Sequence, residues 1–174
     1  MSLQPTSSQT VGPYFAIGLT WLNTHEVAPA GVAGERIVIE GTVFDGDGKP
    51  VPDALIEVWQ ANADGKYNAD GFPGFGRIPA DAKGMFKFST IKPGSVDKQA
   101  PHINISVFMR GILRQLVTRI YFPNEASNAE DAVLNSVPEA RRATLVAQAV
   151  GGDKAKLSWN VVVQGKDETV FFDF

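Results

Sequence analysis

Cysteine is absent from the 174 residues, which excludes disulfide scaffolds, cysteine zinc sites, iron–sulfur clusters and thiol nucleophiles together. Histidine is nearly absent, with two copies, His25 and His102. Any metal would have to be held by His, Tyr, Asp or Glu. No apolar run approaches the roughly 18 residues needed to cross a bilayer. The opening MSLQPTSSQT lacks the basic start and apolar middle of a secretory signal, so the expected compartment is the cytoplasm. Positive charge is not in excess either: the net charge is −3, and nothing points to nucleic acid. There is no phosphate loop, no Ser-His-Asp signature and no glycine-rich dinucleotide fingerprint. The GDGK at 46–49 lacks the spacing and the following helix of a phosphate loop.

What is present describes an ordinary globular chain, 44% apolar and 20% charged, of a length that suits one core. Residues 1–35 are rich in Gly, Pro, Ala and Thr, with scattered aromatics, and read as an arm laid across something. From residue 36 alternating runs begin: RIVIEGTVF, ALIEVWQAN, MFKFSTI (85–91), HINISVFMR (102–110), QLVTRIYF (115–122), LSWNVVVQG (157–165) and TVFFDF (169–174), punctuated by turns such as DGDGKPVPD, DAKG and KPGS. Seven short strands so spaced predict an all-β fold, a β-sandwich with one or two short peripheral helices. Ser136 and Glu139 have capping-box spacing and predict a helix over Pro138–Ala149, with a shorter helical turn near Asn128–Leu134. The apolar ending, Val170, Phe171, Phe172 and Phe174, is expected to pack in the core or against a partner.

The stretch APHINISVFMRG carries the chemistry in question. Alternation puts His102, Asn104, Ser106, Phe108 and Arg110 on one face of a strand, opposite Ile103, Ile105, Val107 and Met109. A lone strand histidine is more often a hydrogen-bonded structural residue than a ligand. A catalytic metal site takes about three protein ligands, and Asn104 is a poor one, with no acidic residue on the same face. Arg110 and Arg119 could grip a carboxylate in bidentate fashion; the ordinary alternative is that they are solvated or bonded to backbone. Tyr14 reads either as a site residue or as an anchor pinning the arm, and Tyr67 as a ring flanking a turn.

The motifs QTVGPYF, GTVFDGDGKPVPDALIEVWQANADGKY, FGR, TIKPG, APHINISVFMRG, TRIYF and GKDETVFFDF resemble those of the intradiol ring-cleaving dioxygenases, over Pro5 to Phe174. The resemblance implies a β-sandwich of the intradiol dioxygenase type. Catalytic chains of that family hold non-haem Fe(III) with two tyrosines and two histidines. By resemblance, Tyr67 matches the first tyrosine and His102 the first histidine. The second tyrosine's position reads Ser95-Val96, and the second histidine is replaced by Asn104. Fe(III) is a hard cation, and neither valine nor a neutral amide replaces a phenolate or an imidazole. Tyr67 and His102 are thus expected to be relics of a metal site, and this chain to bind no iron by itself.

The resemblance supplies a role for such a chain: a non-iron-binding alpha subunit paired with an iron-bearing beta chain in a hetero-oligomer. Thr10, Tyr14 and Arg110 would project into the partner's substrate pocket, and residues 1–35 would pack on the partner. Arginine and tyrosine would orient the ring carboxylate of protocatechuate while Fe(III) in the partner holds the catecholate for cleavage by O2 to 3-carboxy-cis,cis-muconate. Two other readings stay open. One is a non-catalytic transthyretin-like β-sandwich binding module; the other is a self-sufficient homo-oligomer that completes Tyr67 and His102 with residues of a neighbouring copy.

Overall fold

The computed structural model describes residues 4–12 and 14–173, with backbone alone for Tyr14 and Ala16. Among the described residues, nine strands form two sheets, preceded by a one-turn helix, α1 (Tyr14–Ile17). The first has the order β4 (Met85–Ile91), β1 (Arg36–Phe44), β8 (Asp153–Ser158), β7 (Gln148–Val150), with β9 (Val161–Val162) beside the end of β1. The second has the order β3 (Phe75–Pro79), β2 (Leu55–Gln60), β5 (His102–Phe108), β6 (Leu116–Tyr121). β1 runs parallel to β8 and β9; every other pairing is antiparallel.

The period-2 pattern explains the layers. Ile37, Ile39, Phe86 and Phe88 point inward from the first sheet, and Ile56, Val58, Ile78, Ile103, Ile105, Val107 and Ile120 from the second, making one core. Burying each such side chain is worth about 1.5–3 kcal/mol. Val27 and Ala28, from the first 35 residues, are buried in this same core. They are held by Thr24 N–H to Arg77 O, Val27 N–H to Ser89 O, and the Arg36 guanidinium on the Ala28 and Pro29 carbonyls. Residues 4–11 are exposed. Among the described residues no helix is long and apolar enough to cross a membrane.

Several local expectations are corrected. The helix predicted over Pro138–Ala149 is one turn, α3 (Glu139–Arg142), continued by a 3₁₀ turn at Ala143–Leu145. It stops because Leu145 is needed in a second cluster with Tyr121, Leu134 and Val137. Gly151 and Gly152, both at positive φ, also make a two-residue turn that turns Gln148–Val150 into a strand. No capping box forms. Ser136 ends α2 (Ala132–Ser136) and donates to Val133 O, and Pro138 caps α3 without a side-chain bond. β3 escapes the alternation test because FGRIP is broken by glycine and proline, as suits an edge strand. The described part of the final run, residues 169–173, is not a strand, and Phe174 lies outside the described residues. The run is bridged at Phe172 to Val117, and Val170, Phe171 and Phe172 pack half-buried on the two clusters.

Gly41, in the middle of β1, tests the tightness of the first sheet. A Cβ there would fall 1.7 Å from the Trp159 carbonyl oxygen and 2.9 Å from the Phe86 ring. Gly41→Ala is expected to cost about 3 kcal/mol of stability through overpacking, read as a lower urea midpoint at unchanged m.

Candidate functional site

The chemistry-bearing residues lie on the outer face of the second sheet, away from the core. Strand register sets them abreast: Phe75 pairs with Trp59, Trp59 with Asn104 and Asn104 with Arg119, while His102 faces Tyr121. Residues opposite one another on neighbouring strands share a face, so four strands deliver one row of functional groups. A cleft of about 490 Å³ opens over this row, lined by Trp59, Tyr67, Gln99, His102, Asn104 and Arg119 among others.

Two loops wall the cleft, and each has a local cause. In QANADGKY the Asn62 side chain accepts from Asp64 N–H and Lys66 N–H, folding the loop back. Gly65 holds φ 76°, and any Cβ would fall 2.0 Å from Ser95 O. Tyr67 is thereby set over Trp59, ring centroids 4.5 Å apart. The facing loop is a tight two-residue turn: Val96 and Gln99 exchange backbone hydrogen bonds around Asp97 and Lys98, both at positive φ. It carries Val96 and Gln99 into the cleft wall.

The hydrogen bonds fix one another's direction. Arginine only donates, so Arg119 Nε–H must face Asn104 Oδ1, at 3.1 Å. Asn104 Nδ2 then donates to the Tyr67 hydroxyl at 2.9 Å. His102 Nδ1 lies 2.8 Å from the Ala100 carbonyl and must carry its proton there, leaving Nε2 as an acceptor 3.5 Å from the Tyr67 hydroxyl. On the other side Arg119 Nη1 donates to Gln99 Oε1 at 2.7 Å and to the Tyr121 hydroxyl at 3.4 Å. Tyr121 donates in turn to Asp131 Oδ1 at 3.1 Å. Asp131, fully buried, also accepts from Ala100 N–H and caps α2 through Leu134 N–H.

Burial pushes the Tyr67 phenol above its ordinary value, against the opposing pull of Asn104 and Arg119. Burial likewise pushes Tyr121 up to about 12. His102, 3% exposed, is held below the usual histidine value, first by burial and then, against the Ala100 carbonyl, by the Arg119 charge. At neutral pH the cleft therefore contains a neutral phenol, a neutral imidazole and a fixed guanidinium.

Tyr67 and His102 are thus together, and Asn104 and Val96 stand beside them. Arg110 is not in the cleft. It lies beyond the end of β5, 77% exposed in its side chain, with Nε 3.4 Å from Asp53 Oδ1. Thr10 is exposed, and the side chain of Tyr14 lies outside the described residues. Arg119, read in the sequence as a carboxylate grip or as a solvated or backbone-bonded cation, donates to the side chains of Asn104, Gln99 and Tyr121. Gln99, Tyr121 and Asp131 went unnoticed there. Alternation along TRIYF puts Arg119 and Tyr121 on one face, which was the available signal. Asp131 had none, since it arrives from a separate turn.

The Fe(III) that the resemblance implies for the family does not fit these residues. Two counterparts of the family's four donors are present, Tyr67 and His102; the amide at 104 is spent on its neighbours, and a cation sits 3.1 Å from its oxygen. Among the described residues no cluster of three His, Asp or Glu could hold a metal.

The family model described as Dioxygenase matches residues 11–165. The chain is 45% identical to the protocatechuate 3,4-dioxygenase alpha chain of Burkholderia cepacia, over 99% of this chain and 98% of that one. It is 37% identical to the beta chain from the same organism, over 78% of this chain and 67% of the other. Among solved structures, the dioxygenase domain of a carbohydrate-binding fusion from Streptomyces sp. SirexAA-E superposes with TM-score 0.70 at 26% identity, covering 94% of this chain and 100% of that domain. The chain belongs to the intradiol ring-cleaving dioxygenase family of oxidoreductases. Within it, the end-to-end likeness is to protocatechuate 3,4-dioxygenase alpha chains.

The buried neutral His102 has a consequence for acid stability. The unfolded chain takes up this proton near the ordinary histidine value of 6.5, which the folded chain resists, so folding stability falls as pH drops through that value. Denaturant unfolding at about pH 7 and pH 5 should show a smaller loss for His102→Gln than for the unaltered protein.

Proposed function

We propose that this chain is the non-iron-binding alpha subunit of a protocatechuate 3,4-dioxygenase, acting in the cytoplasm with an iron-bearing beta chain. The observation that carries the proposal is Asn104, bonded to Arg119 where the family pattern would have its second histidine, in a chain otherwise alike from end to end to alpha chains. Ring cleavage with O2 then belongs to the partner's iron. This chain's task is binding and orientation.

Arg110 suits that task. Its guanidinium is exposed, held loosely by one carboxylate, and lies outside the cleft, so it is available to a substrate carboxylate across an interface. The exposed arm, with Thr10 and Tyr14, would close the far side of the partner's pocket, giving the hydroxyls that position the ring. Val11, Ile17 and Trp21 are exposed apolar side chains on the same arm, the composition of a segment covered by a partner.

Expression of the chain alone and with a candidate beta chain tests the reading. Iron and protocatechuate-dependent O2 uptake are expected in the co-expressed sample alone; stoichiometric iron in the lone chain would overturn it. In the reconstituted complex, Arg110→Ala and Tyr14→Phe should raise KM for protocatechuate, Arg110→Ala by about tenfold, with iron content unchanged. Loss of iron in either variant would sink the assigned roles.

A further inference from the structure

The VPDA turn ahead of β2 carries a carboxylate that neither the core nor the cleft uses. Ala54 N–H bonds back to Val51 O at 3.4 Å around Pro52 and Asp53, and Ala54 O accepts Ala80 N–H at 2.8 Å. Val51 and Ala54 are buried, so both ends of the turn are fixed, and proline at its second position stiffens it. Asp53 is therefore presented from a rigid base.

Register decides what Asp53 meets. β2 and β5 run antiparallel with Leu55 opposite Phe108, and two residues further along each chain Asp53 comes opposite Arg110. The carboxylate serves Arg110 twice. Oδ2 accepts the Arg110 backbone N–H at 3.2 Å, which fixes where the arginine side chain starts. Oδ1 stands 3.4 Å from Arg110 Nε, shut off from water and accepting no hydrogen bond among the described residues. A buried acceptor without a donor is costly, so Oδ1 draws the Nε edge of the guanidinium toward itself. The Asp53 side chain is 29% exposed and that of Arg110 77%. The carboxylate is thus the anchored member of the pair, and the arginine is the one guided.

A guanidinium has two kinds of edge that can hold a carboxylate: Nε with one Nη, and the two Nη groups together. With Asp53 set against Nε, the edge left outward is the pair of Nη groups, which makes no hydrogen bond among the described residues. We propose that Asp53 is the positioning residue of Arg110, turning that edge toward a ligand carboxylate and so favouring a ring that carries one over a ring that does not. The proposal rests on the subunit reading, in which Arg110 meets the substrate carboxylate across the interface. An exposed arginine otherwise spreads over many rotamers, and ordering it on binding subtracts from affinity. Asp53 orders it beforehand. In the lone chain the pair is weak because it faces water; once a partner surface covers it, the same charges act through a lower dielectric. Arg110 then holds both carboxylates, one on each edge.

The test uses the complex reconstituted with the beta chain. Asp53→Asn keeps an oxygen for the Arg110 N–H, but its amide NH2 then faces Nε–H, donor against donor, so the backbone stays and the head is displaced. KM for protocatechuate is expected to rise roughly three- to tenfold, the scale of ordering one long side chain, exceeding any fall in kcat. Inhibition by 4-hydroxybenzoate should weaken, while inhibition by phenol, which has no carboxylate, should not. In an Arg110→Ala background the same substitution should add nothing. An unchanged or lowered KM for Asp53→Asn, beside a raised KM for Arg110→Ala, would overturn the positioning role alone. An unchanged KM for Arg110→Ala would overturn it together with the reading on which it rests. A further loss on adding Asp53→Asn to Arg110→Ala, or equal weakening of both inhibitors, would mark a merely structural effect and overturn it as well. Should Asp53→Asn fail to assemble with the beta chain, Asp53→Ser, whose hydroxyl accepts the same N–H, replaces it, with the same results expected and the same results overturning the proposal.

Discussion

The register of β5 between β2 and β6 is the constraint on which the site depends. With Asn104 opposite Trp59 on one side and Arg119 on the other, the row across the outer face is fixed to within the pleat of the sheet. A slip of one residue would send His102 and Asn104 into the core and Ile103 out to water. That exchange is prohibited by the inner faces of Ile103, Ile105 and Val107, all fully buried. The hydrophobic core therefore specifies the polar row. The energy comes from the apolar face, and the chemistry is placed on the other.

Given that row, the polar groups have few ways to be satisfied, and each choice determines the next. A buried polar atom without a partner costs more than a typical bond gains. Arg119 sets the amide orientation of Asn104, Asn104 makes Tyr67 an acceptor, and the Ala100 carbonyl sets the histidine tautomer. The result is a guanidinium bonded to the dipoles of Asn104, Gln99 and Tyr121. Such a network rigidifies two loops without an ion, because the cation is covalently part of β6. Asp131 extends it by serving the network, the Ala100 amide and the α2 cap at once.

Much of this was legible in the sequence, for identifiable reasons. Five of the strands, β1, β2, β4, β5 and β6, follow from period-2 alternation, since one face of each packs on the core, whereas the run at 157–165 is split between the end of β8 and the two-residue β9. The face shared by His102 and Asn104 follows from the same periodicity. The family was legible in long ordered motifs rather than in composition. Illegible were elements whose state is decided by distant partners. The 148–150 strand exists because Gly151 and Gly152 turn it onto β8, in a stretch where helical spacing also fits. The supposed capping box fails because Ser136 is already spent on its own helix. Asp131 and Gln99 join the site through turns whose direction depends on positive-φ residues that are not glycine, Asp97 and Lys98 among them, and local propensity does not announce such turns.

The arrangement also explains how a dioxygenase-family fold can be useful without holding the metal. In a metal-bearing cleft the first duty of the outer face is to keep donors open toward an ion and a substrate. Here Asn104 and Arg119 close the donor cluster on itself, with the Tyr67 phenol kept neutral by burial, so the cleft asks nothing of a cofactor and its walls stay fixed. What remains available lies elsewhere on the same scaffold: an exposed guanidinium at the end of β5 and an arm whose backbone bonds to the sheets, among the described residues, begin at Thr24. Rigidity is concentrated where the ion would be, and exposed reach where a partner would be met. A chain that supplies side chains to another subunit's pocket needs that distribution, because positioning across an interface loses its value if the scaffold behind it moves.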